Sequence, residues 1–299
     1  MATLYTQQDK NISRTWLLMG LFLVIVVALG YFLAYYYQNP SILYIAIIFS
    51  VIMNVVSYWY SDKIVTKLAG AKEAPDGGEY SELHNIVENL AITAGLPKPK
   101  VYIITDPAPN AFATGRNPEH AVVAVTTGLL AIMNKTELEG VIAHELSHVG
   151  NRDMLLSTVA AVLVGFVTIL ADIFRRSLWF GGGRSRDNEN RGGGVLAIVG
   201  IVFIILSPLF AQLIQLAISR KREYLADASG ALLTRYPEGL ASALKKIGEY
   251  SQPMQRQSNA IAHIYLADPR GIGSRVANLF QTHPPIANRI AALLGRSAE

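Results

Sequence analysis

The stretch VIAHELSHVG, residues 141–150, sets His144 and His148 four apart, with Glu145 directly after the first. On a helix, side chains at i and i+4 project from one face. Both imidazoles can then reach a single tetrahedral ion and leave a position open for water, with the glutamate placed to take that water's proton. The chemistry this pattern suits is metal-assisted hydrolysis. The chain has six histidines in 299 residues, so a chance match to the motif is expected on the order of 0.005 times. Cysteine is absent, which excludes disulfides and thiolate-bound zinc and leaves His, Asp and Glu as the ligands.

Two histidines do not complete a catalytic zinc site, and a third protein ligand is expected. One class supplies it as HExxHxxGxxH, but Asn151 and Met154 stand at the glycine and third histidine positions here. The other common solution is a glutamate from a separate helix. Asp153 follows on what reads as the same helix, too close to swing around the ion. Asp172 lies at the far end of an apolar run, and Asp187 and Glu189 fall in a polar loop beyond it. Glu223, within SRKREYLADASGALL, begins the polar block that follows the next apolar run. Asp227 is four residues on and shares its face. The pair reads as a third ligand at Glu223 and, at Asp227, a carboxylate that accepts the free N–H of a ligand histidine.

The elements that must position these residues are largely apolar. Hydrophobic residues make up 51% of the chain and charged ones 16%, against about 25% charged in ordinary soluble domains. Four runs are long enough to cross a bilayer, 15–37, 42–60, 154–174 and 195–218. They divide the chain into an N-terminal tail with a hairpin (1–60), a polar block with the HExxH helix (61–153), a second hairpin (154–218) and a second polar block (219–299). Lys10, Arg14, Lys63, Lys67, Lys72, Arg220, Lys221 and Arg222 flank the spans on one side, which the positive-inside rule makes cytoplasmic. The 175–194 connection opposes this with five arginines against two acids; span length favours crossing. The net charge of +4 belongs with these loops, and no nucleic-acid signature accompanies it.

Within the polar blocks, VYIITD (101–106) and AVVAVTT (121–127) read as strands, with NAFATG between them as a short edge strand. Thr136 and Glu139 read as a capping box that starts the HExxH helix. The second block reads as helical, broken at SQPMQ, ADPRGIGS and THPP. His84, His120 and His263 join no constellation and read as packing or surface residues. Asn54, Gln212 and Gln215 inside the spans read as helix–helix hydrogen-bonding residues.

HELSH, then SRKREYLAD some seventy residues later, then THPPIANR near the C-terminus, set between paired apolar spans, resemble the HtpX family. These are heat-shock-associated zinc endopeptidases of the bacterial inner membrane, related to the CAAX prenyl endopeptidases of eukaryotic membranes. The likeness covers essentially the whole chain. It implies an α-helical multi-pass membrane protein with a cytoplasmic zincin-like α+β metalloprotease domain, mainly helical, with a small sheet whose edge strand takes substrate. It implies one zinc ion per chain on His144, His148 and Glu223, Glu145 as base, and Asp227 supporting a ligand histidine. It further implies His283 as the group that stabilises the oxyanion, with Arg289 beside it, and Asn110 and Ala111, at the start of NAFATG, aligning substrate backbone.

The implied partners are the lipid bilayer and unfolded or misfolded membrane proteins, in stress-linked quality control; further proteases or chaperones are compatible, and nucleic acid is not. Two other readings stand beside this one. A CAAX-type processing peptidase shares the zinc core. A non-catalytic membrane chaperone with a structural zinc would have no use for Glu145 and would normally close the site with four protein ligands.

Overall fold

The computed structural model describes residues 4–180, 219–256, 258, 260–270 and 284–295, with side chains from residue 7 and, on the helix that ends at Phe180, up to residue 166. Helices dominate: α1 (Leu4–Tyr36), α2 (Ser41–Trp59), α3 (Ser61–Ala69), α4 (Ser81–Thr93), α5 (Thr127–Ile132), α6 (Lys135–Gly150), α7 (Asp153–Phe180), α8 (Arg220–Thr234), α9 (Pro237–Glu249) and α10 (Ile286–Leu293). The strands are β1 (Lys72–Glu73), β2 (Lys100–Ile104), β3 (Ala111–Thr114) and β4 (Val122–Thr126), in sheet order β1-β2-β4-β3. β2 and β4 pair in parallel, and the outer strands are antiparallel to their neighbours.

Among the described residues, two helices are long and apolar enough to cross a membrane, Gln7–Tyr36 and Ser41–Trp59. Their outer faces carry Trp16, Leu17, Val24, Ile45, Ile48 and Ile52 in the open, a pattern that suits lipid rather than water. Between them Asn54 donates Nδ2–H to the Met19 carbonyl at 3.2 Å, the helix–helix bond expected of that residue. α7 packs on both through Leu155, Leu156, Val159 and Leu163. The fourth apolar run, Gln212, Gln215 and residues 181–194 of the polar connection lie outside the described residues.

The capping box sits two residues earlier than the sequence suggests. Asn134 accepts from the Glu137 N–H at 2.9 Å, and Glu137 Oε2 accepts from the Asn134 N–H at 2.9 Å. Thr136 only donates its hydroxyl to Asn134. Asn134 takes the role because its short amide reaches the third helical N–H from an extended backbone.

α6 ends at Gly150, and α7 departs at 81° to it. Arg152 makes the corner with φ of 60°, left-handed backbone that glycine usually supplies. Asp153 therefore opens a new helix and does not continue the HExxH helix.

Candidate metal centre

α6 lies in the core, with Val141, Ile142, Ala143, Leu146 and Val149 all fully buried against the sheet and α9. This fixes the helix's rotation and aims His144, Glu145 and His148 into a cleft that Glu223, Ala113 and residues 263–266 also line. α8 brings Glu223 and Asp227 to the same cleft because Gly230 allows close contact. A Cβ at Gly230 would stand 2.9 Å from the His144 backbone nitrogen.

His144, His148 and Glu223 each offer one ligand atom, all within 4.8 Å of one another. The two Nε2 atoms are 3.2 Å apart. Glu223 Oε2 is 3.9 Å from His144 Nε2, and Oε1 is 3.7 Å from His148 Nε2. Ligands at zinc-bond length around a tetrahedron stand about 3.3 Å apart, so the donor set fits a single ion.

The carboxylates behind the imidazoles set their tautomers. His144 Nδ1 lies 2.9 Å from Asp227 Oδ1, and His148 Nδ1 lies 3.3 Å from Asp153 Oδ2. A carboxylate only accepts, so each Nδ1 carries the proton and each Nε2 presents a lone pair. Two lone pairs directed at one another beside a carboxylate make a site shaped for a cation.

Charge follows the same layout. Burial opposes the charge on His148, but the Asp153 hydrogen bond and the negative charges of Glu223, Asp153 and Glu145 raise it to about 9. Burial lowers His144 despite Asp227, with Arg289 and His148 adding to the fall. Burial pushes Glu145 up to about 7, aided by Glu223 and opposed by His148, Arg289 and the Ala113 N–H. Burial works to raise Asp227, but Arg289 and His144 hold it far below the ordinary carboxylate range. The surrounding acids thus favour positive charge at His148, while burial disfavours it at His144.

Arg289 is fully buried. Its Nε and Nη2 donate to the two Asp227 oxygens at 2.9 and 2.7 Å, Nη1 donates to the Leu266 carbonyl at 3.3 Å, and Glu223 Oε2 is 3.7 Å from Nη1. The guanidinium stands behind the candidate ligands, holding Asp227 and lying beside Glu223. Its expected neighbour, His283, lies outside the described residues.

Asn110 and Ala111 meet the protein's own chain. Asn110 is 2% exposed, and its amide exchanges hydrogen bonds with the Ala267 backbone, giving to O at 2.9 Å and accepting from N–H at 3.2 Å. The Ala111 carbonyl accepts from the Leu266 N–H at 2.9 Å. The open length of the β3 edge is therefore nearer Ala113, whose N–H points at Glu145.

A model of peptidase family M48 matches residues 79–297, a span that holds every ligand and brace just described. The chain belongs to peptidase family M48. Among its M48 relatives is a protein named "Protease HtpX homolog" from Caldanaerobacter subterraneus subsp. tengcongensis, 49% identical over 295 residues and 97% of each chain. Another of that name, from Pyrococcus furiosus, is 48% identical over 94% of each chain. The crystal structure of S. mikatae Ste24p is similar in fold, with a TM-score of 0.50 at 20% identity. The match covers 92% of this chain and 62% of that one.

Three contributors to this M48 site escape a reading of the sequence. Asp153 reads as one more residue of the HExxH helix and is in fact the hydrogen-bond partner of His148. Asn11, far upstream in α1, touches Asp153 through its amide at 2.6 Å. His263 reads as a packing or surface residue, yet it lines the cleft and hydrogen-bonds through Nε2 to the Ser157 carbonyl at 3.2 Å. The one local signal is Arg222, which directly precedes Glu223 and lies 3.6 Å from Asp153. His84 and His120 sit elsewhere, beside Asp76 and Asn117.

Proposed function

We propose that this M48 peptidase is a zinc-dependent endopeptidase of the plasma membrane that cleaves misfolded or damaged membrane proteins at the cytoplasmic face. The observation that carries the reading is the pair of Nε2 atoms 3.2 Å apart, faced by Glu223 and backed by Asp227 and Asp153. His144, His148 and Glu223 would hold the ion. Zinc bound there would act as a Lewis acid on the scissile carbonyl and acidify bound water. Glu145, buried and held near neutrality by its surroundings, suits a group that takes a proton from water and returns it to the departing amine. His283 is proposed to stabilise the oxyanion, with Arg289 keeping Asp227 and Glu223 in place behind the ligands.

A membrane substrate is supported by the join itself. The ligand helix α6 is separated by only two residues from α7, which packs on the two candidate spans. The multi-pass topology with its polar blocks on the cytoplasmic side rests on the distribution of Lys and Arg. An extended chain that pairs with the β3 edge would be held through its backbone, with little demand on sequence, as suits a protease acting on unfolded segments.

The test is Glu145→Gln in the purified full-length protein, assayed on an unfolded membrane protein with metal analysis alongside. Stoichiometric zinc with cleavage reduced at least about 100-fold is expected. Unchanged cleavage would remove Glu145 from the reaction. A requirement for a prenyl group on the substrate would turn the assignment toward CAAX-type processing.

A further inference from the structure

The turn between α6 and α7 is met by two side chains from the first candidate membrane helix, and of these only Asn11 reaches Asp153. Asn11 is 1% exposed, and both polar atoms of its amide are engaged. Nδ2 donates to Asp153 Oδ1 at 2.6 Å and to the Asn151 carbonyl at 2.9 Å, and Oδ1 accepts from Arg222 Nη1 at 3.4 Å. Asp153 and Arg222 are themselves buried, with Arg222 Nε 3.6 Å from Asp153 Oδ1. The second oxygen of Asp153 faces His148 Nδ1 at 3.3 Å.

This arrangement does more than seat a helix. A carboxylate that can rotate about its own bond orients an imidazole poorly. Here one oxygen is pinned by Asn11, so the other is fixed toward His148. Asp153 also sits in the first turn of α7, where the helix dipole favours its negative charge. Arg222 carries the effect to the other side of the 154–218 excursion, since it is the residue before Glu223. A single amide thereby touches both the corner that follows His148 and the helix start that carries Glu223.

We propose that Asn11 is a positioning residue of the metal centre: by holding Asp153 and Arg222 it fixes His148 and Glu223, so that the first membrane helix sets the affinity and geometry of the site. The proposal rests on a metal binding to His144, His148 and Glu223. Partners of this kind, one step removed from the ion, typically change metal affinity about 10–100-fold when mutated.

The test uses Co²⁺ as the probe, added to the full-length, metal-free protein in detergent. Affinity is read by chelator competition and geometry by the visible absorption of the bound ion. Wild type must bind one Co²⁺, and Glu223→Ala must lose it; if wild type binds none, the metal reading itself fails and this inference is withdrawn with it. Given binding, Asn11→Ala should weaken affinity about 10-fold or more and alter the spectrum. Gln8→Ala serves as the control. Gln8 ties the same helix to the same corner through the Gly150 carbonyl at 2.6 Å, with no bond to Asp153, so its variant should bind Co²⁺ as wild type does. If Asn11 acts through Asp153, the losses in Asn11→Ala and Asp153→Asn should overlap, and the double variant should lose clearly less than their sum. Wild-type affinity and spectrum in Asn11→Ala would overturn the proposal. So would an equal loss in Gln8→Ala, or fully additive losses in the double variant.

Discussion

Asp227 Oδ1 lies 2.9 Å from His144 Nδ1, and the same carboxylate receives two N–H bonds from Arg289 at 2.9 and 2.7 Å. One buried anion therefore fixes the tautomer of a candidate ligand and pairs a fully buried guanidinium. Asp227→Asn keeps the shape but removes the charge and one acceptor. Metal affinity is expected to fall about 10–100-fold. Stability should fall by about 3 kcal/mol or more, because Arg289 loses its buried partner. Chelator competition and thermal melting of the metal-free protein read the two effects separately.

Gly230 lets α8 lie against α6, and a Cβ there would meet backbone atoms of His144 at 2.9 and 3.1 Å. Gly230→Ala should push Glu223 and Asp227 away from the histidines. A loss of about 1–3 kcal/mol is expected, together with weaker metal binding. Unchanged metal affinity would mean that the helices can shift without disturbing the ligands.

Glu137 gives a pH test remote from the metal. Burial works to raise it, but hydrogen bonds from Lys246, Ser242 and the Asn134 N–H hold it below its ordinary value of 4.5. A carboxylate depressed on folding stabilises the protein above its unfolded value, and that contribution fades as pH falls through the folded one. Glu137→Gln should therefore lower stability by about 1 kcal/mol near neutrality, a modest figure because the Lys246 side chain is 38% exposed. The difference should shrink below about pH 4.5. Melting curves of both proteins, taken from neutrality down into the acid range, check this. A gap that does not change with pH would mean that the charge on Glu137 contributes nothing.

Asn110 holds the 266–267 segment to β3 through its amide. Asn110→Ala should cost about 1–3 kcal/mol and speed amide exchange at Leu266 and Ala267. KM should rise as a consequence, because the floor of the cleft loosens. A raised KM with melting and exchange unchanged would instead give the amide a direct part in aligning substrate.

The His144, His148 and Glu223 cluster is legible in the sequence because each requirement there is local or topological. HELSH needs only helical spacing, and Glu223 needs only the return of the chain after an apolar excursion. β2, β3 and β4 are legible from their apolar runs, with β3 at the sheet edge as expected. β1 is not, since Lys72 and Glu73 are strand by virtue of their pairing with Ile103 and Tyr102. Asp153 is misplaced because nothing at Arg152 announces a helix end; an arginine there takes the conformation that glycine usually marks. Arg289 and Asn110 are visible as polar residues near motifs. What they face depends on packing across 62 and 157 residues of sequence. Asn11 carries no signal at all, being one polar residue in a polar helix start.

The bond between Leu266 and Ala111 gives the β3 edge a direction. Strand residues advance about 3.3 Å each, so the ladder is blocked two positions from Ala113, where Glu145 waits. On the proposed function, a peptide paired at Ala113 would be unable to extend the ladder past Ala111, where Leu266 already occupies the edge. The protein's own 266–267 segment therefore closes one end of this edge to any strand added beside it.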